Sequence, residues 1–127
     1  MSKKVLIIED DILISHLMEM YISKSDCCEV IGCVDNGEDA IEIAKKVHPD
    51  FILMDIRIEG EKDGIETATI INSDIPIIYA SANSDAKTVD RAKKTNMLAF
   101  LVKPIIESEL LNILCSKQKT SGTALSK

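Results

Sequence analysis

Four stretches of this sequence end on residues that could do chemistry together. Val5-Leu6-Ile7-Ile8 runs into Glu9-Asp10-Asp11, and Phe51-Ile52-Leu53-Met54 runs into Asp55. Ile75-Pro76-Ile77-Ile78-Tyr79-Ala80 leads to Ser81, and Leu98 to Val102 leads to Lys103-Pro104. Taken singly each residue is ordinary: Asp55 alone reads equally well as a site acid or as a cap or loop carboxylate. Brought to one place, the acids would repel one another, and the cluster would persist only if some protonated or a cation neutralised them. With oxygen ligands and no His or thiolate at hand, the ion would be hard and divalent. Mg2+ fits, since it keeps several waters and takes one or two carboxylates with phosphate oxygens. A lysine and a hydroxyl opposite such an ion would accommodate a dianionic group, most simply phosphoryl.

The elements that would bring these residues together can be read from the spacing of apolar positions. Short continuous apolar runs bounded by charge are expected of strands buried on both faces, as in parallel sheets. Each is followed by a helical pattern. Ile12 to Lys24 carries Leu13, Leu17, Met20 and Tyr21 at helical spacing, with His16, Glu19 and Lys24 on the wetter side. Glu29 to Val34 reads as a strand, and Asp35-Asn36-Gly37 caps a helix carrying Ala40, Ile41, Ala44 and Val47. Asp63 with Glu66 three positions on forms a capping-box pattern that starts a helix running to about Asn72. Asp85 to Thr95 is a weakly patterned helix with Ala86, Val89 and Ala92, and Leu110, Leu111 and Leu114 mark the last one. Strands alternating with helices imply a doubly wound α/β sheet of about five βα units, in which the carboxyl ends of the strands form the ligand-binding edge.

The 127 residues suit one domain with a single substantial core. The expected division is a domain over 1–115 followed by a polar tail or linker stump over 116–127. Fifteen Lys and Arg against 21 Asp and Glu, a formal charge of -6, argue against binding nucleic acid or anionic lipid unaided. No run is long enough for a signal peptide or a membrane span, so the chain reads as cytoplasmic. Cys27, Cys28, Cys33 and Cys115 show neither metal-site spacing nor a disulfide framework, and are expected to be reduced thiols. His16 has no second ligand nearby and receives no role.

With these motifs in order, the sequence resembles the receiver domain of two-component response regulators over about Lys4 to Leu114. Val5 to Asp11 is similar to the family's first strand and acid pair, placed on Glu9 and Asp10, with Asp11 a possible third. Asp55 matches the phosphorylated aspartate, Ser81 the conformational hydroxyl, Phe100 the switch aromatic, and Lys103-Pro104 the lysine with its following proline. Asp63-Gly64 matches the corner from loop to helix. The resemblance implies a flavodoxin-like (βα)5 fold with strand order 2-1-3-4-5. It also implies a cis peptide at Pro104 and Mg2+ bound by Glu9, Asp10, Asp55 and the backbone carbonyl of Arg57. Its phosphoryl donor would be a sensor histidine kinase or phosphotransfer protein, and its output a conformational switch, carried by Ser81 and Phe100, that controls an unidentified protein partner. Such a domain is a phosphoacceptor, not an enzyme with a separate substrate.

The chain departs from the family pattern in three places. The loop after Asp55 reads Ile58-Glu59-Gly60-Glu61-Lys62 without the usual proline. Leu98 and Ala99 stand where the transcription-factor branch carries acids for a salt-bridged dimer, and Phe100 lacks a tyrosine's hydroxyl. Three rival readings fit less well. An FMN binder would need a Ser-, Thr- or Gly-rich loop where this chain has Glu9-Asp10-Asp11. A haloacid-dehalogenase-type phosphatase needs a second aspartate where Arg57 stands. An interaction module that had lost phosphorylation would not need Glu9, Asp10, Asp55 and Lys103.

Overall fold

A computed structural model describes residues 2–58, 60–71 and 74–115. Five strands and five helices alternate: β1 (Lys3–Ile8), α1 (Ile12–Ser23), β2 (Cys28–Val34), α2 (Gly37–Val47), β3 (Phe51–Asp55), α3 (Gly64–Ile71), β4 (Ile77–Ser81), α4 (Ala86–Lys93), β5 (Met97–Val102) and α5 (Glu107–Leu114). The strands form one parallel sheet in the order β2-β1-β3-β4-β5, as the resemblance implies.

Because alternate side chains of a strand face opposite ways, each central strand feeds two cores. Leu6, Ile8, Ile52, Met54, Ile77 and Tyr79 pack with Ala40, Ala44, Ile65, Ala68 and Ala92 from α2, α3 and α4. Val5, Ile7, Leu53, Ile78 and Ala80 pack on the other face with Met18, Ile22, Leu110 and Leu114 from α1 and α5. This two-sided burial is why β1 and β3 read as unbroken apolar runs.

Helix starts follow local chemistry. Asp11 caps α1, accepting hydrogen bonds from the backbone N–H groups of Leu13 and Ile14, and Asn36 caps α2 by accepting from Asp39 N–H. The capping box at α3 is formed in both directions: Glu66 N–H donates to Asp63 Oδ1 at 2.8 Å, and Asp63 N–H donates to Glu66 Oε1 at 2.9 Å. Asp85 caps α4 through Thr88 N–H. β4 begins two residues later than the sequence pattern suggests, after Pro76, whose carbonyl accepts the Ile52 N–H.

Two expectations are corrected. The buried stripe of α1 is Met18 and Ile22, whereas Leu13, Leu17 and Met20 are exposed. The helix is apolar nearly all round, so spacing alone could not fix which side faces the sheet. Nor are all the cysteines free: Cys27 and Cys115 are joined by a disulfide, with Cα atoms 5.5 Å apart. The fold brings the end of α5 over the start of β2, a closeness invisible in residues separated by 88 positions. Cys28 and Cys33 remain thiols. The expected tail at 116–127 lies outside the described residues.

Candidate functional site

The carboxyl ends of neighbouring β1 and β3 place Glu9, Asp10 and Asp55 side by side, with carboxylate oxygens within 4.8 Å of one another. β5 brings Lys103 across from them. Its ammonium lies 3.0 Å from Glu9 Oε1 and 3.2 Å from Asp55 Oδ2. The Glu9 and Asp55 side chains are almost wholly enclosed, at 1% and 5% exposure. Asp10 is half-buried and lines an open hollow with Ile12, Ser15, His16 and Glu19.

Backbone groups hold the acids in place. Asp11 N–H donates to Glu9 Oε2 at 3.1 Å, and Arg57 N–H donates to Asp55 Oδ1 at 3.3 Å. Lys103 N–H donates to the Ser81 carbonyl at 2.9 Å, tying the ends of β4 and β5 together. The Ser81 hydroxyl is buried and accepts from Asn83 N–H at 3.0 Å. The Lys103–Pro104 peptide is cis.

Burial, followed by the neighbouring Asp55, pushes the Glu9 carboxyl up to about 7 from an ordinary 4.5, against the pull of Lys103 and the Asp11 N–H. Burial alone would lower the Lys103 ammonium, but Glu9 and Asp55 hold it above its usual value. One ammonium offsets only part of the charge that three carboxylates can carry. That surplus, on oxygen ligands alone, suits a hard divalent cation, so the residues present fit Mg2+.

Residues 5–115 match the family model described as the response regulator receiver domain. The chain belongs to that family. Its relatives include the transcriptional regulatory protein PdtaR of Mycobacterium tuberculosis, 36% identical over 112 residues, covering 86% of this chain and 53% of that protein. The response regulator protein VraR of Staphylococcus epidermidis is 30% identical over 113 residues, covering 87% of this chain and 54% of that protein. The chain thus spans about half the length of the curated relatives it matches. Among solved structures, the signal receiver domain of a modulated diguanylate cyclase from Desulfovibrio desulfuricans superimposes with a TM-score of 0.82 at 33% identity, covering 89% of this chain and 90% of that one.

Within this receiver domain, Glu9, Asp10, Asp55 and Lys103 meet at one edge, with Ser81 at the end of the adjoining strand. Asp11 is set apart: its carboxylate caps α1 and lies outside the three-acid cluster. The Arg57 side chain is exposed, and its backbone N–H is the group engaged with Asp55. Phe100 is half-buried against the core, its ring 6.4 Å from that of Tyr79.

Several neighbours of the site leave little trace in the sequence. Tyr79 is fully buried and bonded to the Thr95 hydroxyl at 2.8 Å, and Thr95 in turn donates to the Ala92 carbonyl. Tyr79 is therefore the donor, and a phenol is present beside Phe100 although Phe100 lacks one. Arg91 on α4 pairs with Asp63, the cap of α3, at 3.1 Å. Gly64 presses against the backbone that carries Asp55, and its N–H donates to the Ile56 carbonyl at 2.6 Å. The pair Asp63-Gly64 was its only trace in the sequence.

Proposed function

We propose that this receiver domain accepts a phosphoryl group on Asp55 from a phosphohistidine of a sensor histidine kinase or phosphotransfer protein. The observation that carries this reading is the enclosed Asp55 carboxylate, paired with Lys103 and crowded by Glu9 and Asp10 at the ligand-binding edge. An Asp55 carboxylate oxygen attacks phosphorus, a P–O bond forms, and the P–N bond breaks with its electron pair returning to the imidazole. Lys103 and the Ser81 hydroxyl take the phosphoryl oxygens, and the strand ends supply positioning and charge. Glu9, Asp10, Asp55 and the Arg57 carbonyl would hold Mg2+, which when bound neutralises charge on carboxylate and phosphoryl oxygens.

The partner surface begins beside the site. Ile12 and Leu13 are 79% and 80% exposed at the start of α1, and Leu17 and Met20 continue that apolar strip. A helical donor laid against it would bring its phosphohistidine to Asp55. Output runs through Ser81 and Phe100 toward a protein partner, by a shift between two arrangements of α4 and its surroundings. No described helix is long and apolar enough to cross a membrane, and a cytoplasmic location belongs to this reading. So does the division into a receiver over 1–115 and a tail after it.

Intact mass after incubation with acetyl phosphate and Mg2+ tests the central step. Wild type should gain about 80 Da and Asp55→Asn should gain nothing. Equal labelling of the two proteins would remove the claim.

A further inference from the structure

At the opposite edge of the sheet from the acids, a second cluster of reactive side chains has no part in phosphoryl transfer. Lys3 opens β1 and pairs with Cys28, which opens β2, so these residues lie at the amino ends of the strands. Cys115 caps α5 above them, and the sulfurs of Cys27, Cys28 and Cys115 all lie within 4.8 Å of one another.

The three thiols are not equivalent. Cys27 and Cys115 are half-buried and bonded to each other, within reach of small molecules. Cys28 is buried, with its sulfur 3.6 Å from that of Cys27. Burial also raises its thiol above the usual value, so it is a poor thiolate and a poor attacking group.

The domain does not depend on the sulfur bond to hold α5. Leu110 and Leu114 are sealed in the core shared with α1, and Glu107 pairs with Lys24 at 3.2 Å. The bond therefore adds a tie at the last turn alone. We propose that Cys27 and Cys115 form a reversible thiol–disulfide site, reacting with low-molecular-weight thiols and disulfides, that fastens the end of α5 to the start of β2.

The chemistry balances with a small disulfide, RSSR, as oxidant. One protein thiolate attacks RSSR, forming a mixed disulfide and expelling one thiolate. The second protein thiolate attacks the protein-side sulfur, expelling the other. Two protons and two electrons pass from the cysteine pair to RSSR, which leaves as two RSH molecules. Excess RSH reverses both steps. Opening the bond loosens the last turn of α5, while Leu110, one turn earlier, keeps the helix seated.

The full chain, equilibrated in mixtures of reduced and oxidised glutathione, tests this by alkylation, peptide mapping and amide exchange. Oxidising mixtures should yield a Cys27–Cys115 cross-linked peptide, with Cys28 recovered as a free thiol, and reducing mixtures should abolish it. Reduction should speed amide exchange in the last turn of α5 and leave β1 and β3 unchanged. Cys28→Ser should keep the cross-link, while Cys115→Ser should lose both the cross-link and the redox dependence of exchange. Asp55→Asn should behave as wild type, which separates this site from the phosphoacceptor reading. The proposal falls if no mixture produces the cross-link, if Cys28 takes the place of either partner, or if reduction unfolds the sheet. It also falls if the reduced protein binds one Zn2+ through the three sulfurs and then resists oxidation.

Discussion

Replacing Gly64 by alanine should destabilise the domain, against the direction that helix propensity alone would give. Gly64 opens α3, and inside a helix alanine is preferred to glycine by about 1 kcal/mol. Here the added Cβ would lie 2.9 Å from both Ile56 Cα and Met54 Cγ, and would press on the Asp55 carbonyl oxygen. Two of those three atoms are backbone at the end of β3, so no side-chain rotation relieves the contact. Overpacking of this kind costs about 1–3 kcal/mol, and a backbone obstacle belongs at the upper end. After the propensity gain, a net loss of about 2 kcal/mol remains, or a drop of roughly 8 °C in melting temperature for a domain of this size. Urea denaturation of wild type and Gly64→Ala measures it, with acetyl phosphate labelling as a second readout, since the displaced backbone carries Asp55. Gly32→Ala is the control: its Cβ would meet only Leu6 Cδ1, at 3.4 Å, and should be nearly neutral. A Gly64→Ala protein as stable as wild type would refute the packing argument.

Mg2+ at about a hundredfold excess over its dissociation constant should add about 2.7 kcal/mol to stability, and an unmoved denaturant midpoint at saturating metal would count against the acid site. Without divalent ions the folded state holds a proton on Glu9 up to about pH 7, well above the ordinary 4.5. Stability from that group is complete below the ordinary value and is lost as pH rises through about 7; Glu9→Gln should remove this slope between about pH 4.5 and pH 7 in chelator. If the two proteins keep the same slope, Glu9 is not its source. Ser81→Ala should still be labelled at Asp55, perturbing amide exchange over residues 84 to 103 less than in phosphorylated wild type; an undiminished change would acquit Ser81 of the coupling.

Much of the fold was legible because a parallel sheet covered on both faces writes itself as unbroken apolar runs, as at Val5 to Ile8 and Ile52 to Met54. The same logic exposed the site: residues that follow such runs must share one edge, so Glu9, Asp10, Asp55 and Lys103 could be grouped before any coordinates. The orientation of α1 was not legible, because a helix with apolar residues on every side gives spacing no phase to report. Asp11 looked like a third site acid, yet capping α1 uses its carboxylate, and both tasks fall on an acid just before a helix. The Cys27–Cys115 bond and the Tyr79–Thr95 contact depend on how helix ends settle against strands, which residue types do not encode locally.

The pairing of Lys103 with Glu9 spans 94 positions of the chain, and this has a consequence for timing. During synthesis the acids of β1 and β3 leave the ribosome well before the ammonium that pairs with them. A nascent chain complete only through β4 carries the crowded carboxylates without Lys103, and β4 stands as an open edge awaiting β5. The cluster of Glu9, Asp55 and Lys103 is completed by the last strand to arrive. If the proposed function holds, a chain that ends after β4 would lack the ammonium that meets the phosphoryl group, and the complete acceptor site would exist only once the sheet is closed by β5.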